Sequence, residues 1–225
     1  MTVATNELRV KRWPLAARVV HWNNLIMVLI LIFTGVALYV PGANVLASLI
    51  GGFFITRTLH RSAAVLFILV PLAAIVAMPG GFMRFLREVY TWGKDDTAWL
   101  LSFPRYFFRP STNMPPVHGK STSGQRALAW VLILGALIQV VTGPILWLRP
   151  ASKAVVLWAV LFHDVGFLLL AVGVIFHAYV GLGIFKPYRG VGWGMLGNGT
   201  VPAKLAKHHW PEWYEEELKK ESGSV

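Results

Sequence analysis

The stretch 156–185, VLWAVLFHDVGFLLLAVGVIFHAYVGLGIF, decides the fold. It is apolar over more than the roughly 20 residues a helix needs to cross a bilayer. It nevertheless carries two histidines, His163 and His177. Ionisable side chains at membrane depth are costly and rare, so each is expected to be functional. The two are 14 residues apart, which on a helix is a rise of about 21 Å and a rotation within about 40° of whole turns. They therefore share one face at two depths. Imidazoles placed in this way can give one ligand to each of two haems, provided other helices supply the opposite ligands. The rest of the chain offers His21 and His60.

Composition points to the same class. Of 225 residues, 56% are hydrophobic and 14% charged, with a mean hydropathy of +0.57, too apolar for an ordinary soluble domain. The expectation is all-α: one polytopic membrane domain over 1–225, a four-transmembrane-helix bundle holding two haems, with short interfacial helices. The formal net charge of +11 could suggest nucleic acid. The basic residues, however, lie between apolar segments rather than on one face, so membrane topology explains them and no nucleic-acid partner is expected. The absence of cysteine excludes thiolate-held iron–sulfur clusters, a CxxCH haem attachment and disulfides. No phosphate-cradling glycine loop and no nucleophile constellation is present, so no catalytic residue is assigned and substrate oxidation is expected to occur in another chain.

Four spans are expected, at about 19–40, 59–78, 127–148 and 156–185, followed by a tail over 186–225. The first apolar run is longer than a signal-peptide core and has no clear cleavage box after it, so it reads as a retained span. Lys and Arg are distributed unequally among the loops: four in the N-terminal segment, seven over 80–126 and six after Phe185, against Arg57, Arg61, Arg149 and Lys153 on the other side. By the positive-inside tendency both termini are cytoplasmic. His21 then lies three residues past Arg18 at the inner side, and His60 three past Arg57 at the outer side. With His163 near the outer end of its span and His177 near the inner end, the levels match in pairs: His60 with His163, and His21 with His177. Taken singly, each histidine could be an interfacial or buried polar residue; four at two matched depths favour ligation.

Other residues read from chemistry alone. Haem propionates need cationic partners, and Arg18, Arg61 and Arg126, each near a span end, are candidates; the alternative is a role as interfacial anchors. Asn23 and Asn24 could face a propionate or a quinone, or join helices. Asp164 lies about 100° round the helix from His163 and could orient a ligand or meet a partner. Gln139 reads as an interhelical hydrogen bond. The segment 82–99 suggests a helix lying in the cytoplasmic interface, and the stretch through Pro116 an irregular loop in which His118 is solvated. His208 and His209 are adjacent, a poor metal pair, and read as surface residues. The end EWYEEELKKE reads as a short solvated helix with Glu215–Lys219 and Glu216–Lys220 pairs.

The run RWPLAARVVHWNNLIMVLILIFTG, the histidines at 60, 163 and 177, HAY at 177–179 and the tail GMLGNGTVPAKLAKHHWPEWYEE together resemble the gamma subunit of membrane-bound formate dehydrogenases, a four-helix di-haem cytochrome. That family falls within the wider group of b-type cytochromes of nickel-iron hydrogenases and thiosulfate reductases. The resemblance covers most of the chain from Arg12 to Glu217 and is weakest over 80–120. It implies two haem b groups, His60 and His163 ligating the outer and His21 and His177 the inner. It also implies a catalytic dehydrogenase subunit and an iron–sulfur subunit on the outer face, quinone as electron acceptor, and a place in the bacterial inner membrane; a trimer of heterotrimers would fit the family. The family's quinone sits near an NAGQ-like motif that opens the third span. Here that motif reads Thr122, Ser123, Gly124, Gln125, so Thr122, Gly124, Gln125 and Asn23 are the candidate quinone contacts. Thr122 replaces the asparagine with a shorter donor.

Three functions compete at this point. One is the di-haem electron-transfer anchor of a multi-subunit dehydrogenase. Another is a freestanding di-haem quinone reductase with the same four ligands. The third is a histidine-lined proton or metal transporter, which fits poorly with ligands segregated at two depths.

Overall fold

In a computed structural model, residues 8–109, 111, 113–149, 152–184 and 188–223 are described. Four helices are long and apolar enough to cross a membrane: α1 (Leu15–Tyr39), α3 (Gly52–Ala77), α6 (Ser123–Leu148) and α7 (Lys153–Gly181). Each expected span is present, and all four helices begin three to seven residues earlier than hydropathy alone suggests. The largest extension is in α3, whose first turns carry Thr56, Arg57 and Thr58. Thr56 and Thr58 return their hydroxyls to the carbonyls of Gly52 and Phe54, each at 2.9 Å, so polar side chains at the helix start need no water. The end of the fourth expected span, Phe185, lies outside the described residues.

The chain divides into two units. In the unit Leu15–Phe82, α1 and α3 pack side by side, joined through the short α2 (Asn44–Leu49). Gly51 and Gly52 close the turn into α3 at φ +103° and +89°, a left-handed backbone that a β-carbon would strain. The buried stripe consists of Val28, Thr34 and Ala37 on α1 and Thr56 and Ala63 on α3.

The other unit holds residues 1–14 and 83–225. Here α6 packs along α7 through small residues. A β-carbon at Gly166 would come within 2.9 Å of Ile138, and one at Gly173 within 2.8 Å of Leu132. Helix α4 (Pro79–Tyr90) is strongly amphipathic and α5 (Lys94–Phe108) packs on α6. The single interfacial helix expected over 82–99 is thus two helices, and the second runs into the stretch expected to be irregular. The break falls at 91–93, where the Gly93 amide donates to Asp96 Oδ2 at 2.6 Å and two acidic residues, Asp95 and Asp96, in the first turn of α5 favour the positive end of its dipole.

Outside the spans, two short strands add to the all-α expectation. Strand β1 (Arg9–Lys11) pairs antiparallel with β2 (Thr200–Pro202), Val10 opposite Val201. Helices α8 (Trp193–Leu196), α9 (Ala203–His209) and α10 (Pro211–Glu221) complete this part. Its core is Val10, Val201, Ala203, Ala206, Trp210 and Trp213. The Arg12 guanidinium lies 3.5 Å above the Trp210 ring and 4.7 Å from that of Trp213, a cation–π contact shielded from water. Arg12 Nη2 donates to the Lys120 carbonyl at 2.5 Å and Lys120 Nζ donates back to the Arg12 carbonyl at 2.7 Å. The terminal helix forms as expected, but Lys220 pairs with Glu217 (2.8 Å), three residues back, rather than with Glu216 as expected.

Candidate functional site

His60 lies on α3 between buried Thr56 and Ala63, one turn from each, and so faces α1. There its Nδ1 is 2.8 Å from the hydroxyl of Thr34. That hydroxyl is also 2.6 Å from the carbonyl of Ile30, one turn back on α1. A hydroxyl has one proton, and the helix carbonyl takes it. Thr34 therefore accepts from His60 Nδ1–H, and in the neutral ring the lone pair is on Nε2.

The arrangement recurs in the other unit. His163 on α7 places Nδ1 2.8 Å from the hydroxyl of Thr142 on α6, which donates to the Ile138 carbonyl at 2.7 Å. The same tautomer follows. Gln139 Nε2 donates to the His163 carbonyl at 2.8 Å, the interhelical bond expected of it. In both units a glycine follows the threonine and lies opposite the imidazole edge: a β-carbon at Gly35 would be 3.6 Å from His60 Cε1, and one at Gly143 4.0 Å from His163 Cε1.

The remaining histidines lie toward the opposite ends of the two helix pairs. His21 is in the second turn of α1, half-buried, edge-on to Trp22 at 6.2 Å. His177 is in the last turns of α7, where a β-carbon at Gly181 would be 3.7 Å from its ring. Each unit thus carries one histidine toward each end of its membrane-length helices. Asn23 Nδ2 reaches the Leu66 carbonyl at 3.4 Å and Asn24 Oδ1 at 3.3 Å, joining α1 to α3.

Arg18 and Arg61 are partly buried near the starts of α1 and α3. Arg126 is turned elsewhere. Its Nη1 donates to Asp96 and to the Thr91 carbonyl (3.2 Å), and its Nη2 to the His118 carbonyl, with Glu88 at 3.6 Å. Thr122 and Gln125 form a reciprocal cap at the start of α6: the Thr122 amide donates to Gln125 Oε1 (2.9 Å) and the Gln125 amide to Thr122 Oγ1 (3.3 Å). Trp210 Nε1 adds a bond to Gln125 Oε1 at 3.3 Å. Gly124 faces Trp99, whose ring a β-carbon would meet at 2.9 Å.

Two histidines outside the spans, His118 and His209, differ from expectation. His118 is not simply solvated: it bridges Asp95 (3.0 Å) and Glu212 (2.7 Å). Those two carboxylates raise its pKa, first Asp95 and then Glu212, and His118 in turn lowers that of Glu212. His209 is buried, its ring stacked on Tyr188 at 4.9 Å, and His208 Nε2 meets the Tyr106 hydroxyl at 3.2 Å. His209 is a packing residue of the tail, drawn in by an aromatic neighbour distant in sequence, whereas His208 is exposed, as expected of it.

A family model for prokaryotic cytochrome b561 matches residues 12–197. The chain belongs to the prokaryotic cytochrome b561 family. It is therefore a multi-pass membrane cytochrome, and membership implies haem b. Curated relatives agree. The chain is 28% identical over 220 residues to the formate dehydrogenase cytochrome b556 subunit of Haemophilus influenzae, covering 95% of this chain and 86% of that one. It is 28% identical over 214 residues to the nitrate-inducible formate dehydrogenase cytochrome b556(Fdn) subunit of Escherichia coli K12, covering 91% and 92%. The cytochrome b556(fdo) subunit of the same organism is 25% identical over 209 residues, covering 91% and 92%.

For a b561-family cytochrome the donor set fits haem. Neutral imidazole with its proton held on Nδ1 presents Nε2, the form in which histidine ligates iron. Among the described residues no three of His, Cys, Asp or Glu come together to hold a bare ion. The residues that sequence reading missed are Thr34 and Thr142. Their signal was available: the dipeptide Thr-Gly occurs twice in the chain, each time inside an apolar span.

Proposed function

We propose that this cytochrome is the di-haem b membrane anchor of a respiratory formate dehydrogenase. It accepts electrons from an iron–sulfur subunit on the outer face and delivers them across the membrane to quinone. The reading is carried by one arrangement: each of two helix pairs carries one histidine toward either end of its membrane-length helices, enough for two bis-histidine sites. The similarity over more than nine-tenths of this chain to subunits named for formate dehydrogenase supports the assignment of the partner complex, made of an iron–sulfur and a catalytic subunit.

His60 and His163 would hold the outer haem, and His21 and His177 the inner one. The threonine–histidine device common to His60 and His163 supports pairing those two. When bound, the haems supply one-electron transfer through iron. The protein fixes the imidazole tautomers, keeps the ligands in apolar surroundings and meets the propionates with Arg18 at the inner level and Arg61 at the outer. The unequal distribution of Lys and Arg supports a bacterial inner-membrane orientation with both termini cytoplasmic. Quinone would accept electrons at the inner level, with Thr122, Gly124 and Gln125 at the start of α6 and Asn23 on α1 as its candidate contacts. Protons for quinol then come from the cytoplasm, which makes the transfer electrogenic.

The test is a dithionite-reduced visible spectrum of the purified protein with haem quantified per chain, together with the composition of the complex isolated in mild detergent. The expected result is two b-type haems per polypeptide and an iron–sulfur subunit that copurifies. One haem, or none in folded protein made with adequate haem supply, overturns the di-haem assignment. Two haems in a chain that isolates alone from native membranes overturns the anchor role and leaves a freestanding quinone reductase.

A further inference from the structure

We infer that Thr34 and Thr142 are positioning residues for the outer haem, holding the imidazoles of His60 and His163 and lowering the haem's reduction potential through matched Nδ1–H···O bonds. The inference rests on the proposed ligation by His60 and His163, and goes beyond it by assigning work to two hydroxyls that ligate nothing.

The two threonines lie in different units, on different helices, yet make the same three contacts. Each is buried, at 1% exposure for Thr34 and 5% for Thr142. Each hydroxyl donates one turn back, at 2.6 and 2.7 Å, and meets an imidazole Nδ1 at 2.8 Å on the neighbouring helix. Each is followed by a glycine that leaves bare backbone opposite Cε1 of the same ring. Packing alone does not need this. Valine fills the same volume, and a threonine mid-helix is satisfied by its own carbonyl without any cross-helix bond. The added contact does two things to a ligand. It fixes the rotation of the ring about its Cβ–Cγ bond, since Nδ1–H must point at one oxygen. It also leaves more electron density on Nε2, because an N–H that donates to a good acceptor makes the imidazole more basic. The hydroxyl oxygen is a good acceptor here, since its own proton is already drawn toward a backbone carbonyl. A more basic imidazole ligand would stabilise ferric over ferrous iron, and with the bond present on both His60 and His163 the two effects would act on one potential.

The experiment compares Thr34→Val and Thr142→Val with Thr34→Ser and Thr142→Ser in the intact complex. Haem per chain is counted, and the two haems are followed separately by potentiometric titration and by low-temperature electron paramagnetic resonance. With haem retained, each valine variant should shift one haem only, by about a threefold loss of ferric preference, read as an upward shift of about 28 mV at 59 mV per tenfold for one electron. The low-spin ferric signal of the same haem should change. Serine should restore both values. Valine variants with full haem content, unshifted potentials and unshifted signals overturn the inference. If valine removes a haem, serine decides: haem restored supports the hydroxyl's role, and haem still missing shows that the methyl group alone mattered and overturns it. His60→Ala and His163→Ala run alongside. Retention of both haems in those variants sinks the ligand assignment itself, a failure separate from an unshifted threonine variant.

Discussion

Arg126 Nη1 donates to both carboxylate oxygens of Asp96, at 2.9 Å each, with the two residues only 3% and 5% exposed. Ser123 Oγ adds a third bond to the same carboxylate at 2.5 Å. A pair this buried is costly to split, because the survivor keeps an uncompensated charge. Asp96→Ala should therefore lower the stability of the holoprotein by about 3–5 kcal/mol, read as a fall in the apparent melting midpoint. Arg126→Met with Asp96→Leu together should recover most of that loss. Additive losses in the double variant would show that the two residues do not act as a pair.

The ligand assignment predicts which haem each histidine serves. His163→Ala and His60→Ala should remove the same haem and stop electron entry from the iron–sulfur subunit. His21→Ala and His177→Ala should remove the other and stop quinone reduction while the first haem still becomes reduced. Difference spectra of the four single variants, each with haem counted per chain, check this; His60→Ala and His163→Ala affecting different haems would break the pairing.

The close approach of α7 to α6 makes its glycines sensitive to size. A β-carbon at Gly166 would fall 2.9 Å from Ile138 Cγ2 and 3.0 Å from Gln139 Nε2, whose amide holds the His163 carbonyl. Gly166→Val should cost about 1–3 kcal/mol through overpacking and loosen the haem served by His163. Gly80→Ala, which meets nothing within 4 Å, is the matched control. Equal haem retention by both variants would contradict the packing seen here.

The link from His118 to Glu212 has a defined pH window. The carboxylates hold the His118 pKa above its usual 6.5, so its contribution is complete below about 6.5 and is lost as pH rises through the raised value. The Glu212 pKa lies below its usual 4.5, chiefly through His118, so its contribution is complete above about 4.5 and is lost as pH falls through the lowered value. Both groups are about half exposed, so the effect should be about 1 kcal/mol or less. Protection factors of the α10 amides, with the intrinsic pH dependence of exchange divided out, should be highest in the interval between those two limits. His118→Asn should flatten the profile on both sides, since His118 is also the chief cause of the lowered Glu212 pKa, and an unchanged profile in that variant would place the sensitivity elsewhere.

Much of this architecture was legible in the chain. Hydropathy located the four spans because a bilayer demands about 20 apolar residues, and that demand leaves a pattern no other constraint imitates. The helix starts were less legible, since Ser123 to Arg126 are polar and join α6 only through a cap closed by Thr122 and Gln125. The histidines stood out because ionisable residues are rare at that depth. Thr34 and Thr142 did not, because a threonine inside a span is ordinary and its meaning depends on which ring lies across from it. Three-residue strands such as Arg9–Lys11 are too short for any periodicity to mark, and their pairing joins positions 191 residues apart.

That pairing bears on how the molecule is made. Strand β1 precedes the first membrane-length helix and β2 follows the last, and strands can hydrogen-bond only within one compartment. The two segments must therefore emerge on the same face of the bilayer, which restricts the chain between them to an even number of crossings. Synthesis also proceeds from the N-terminus, so β1 leaves the ribosome long before its mate exists. Val10 stays without Val201, and Arg12 without the ring of Trp210, until the last helix has been inserted. Closure of this small sheet is accordingly a late step in biogenesis, available only to a polypeptide that has been threaded to completion with the correct parity.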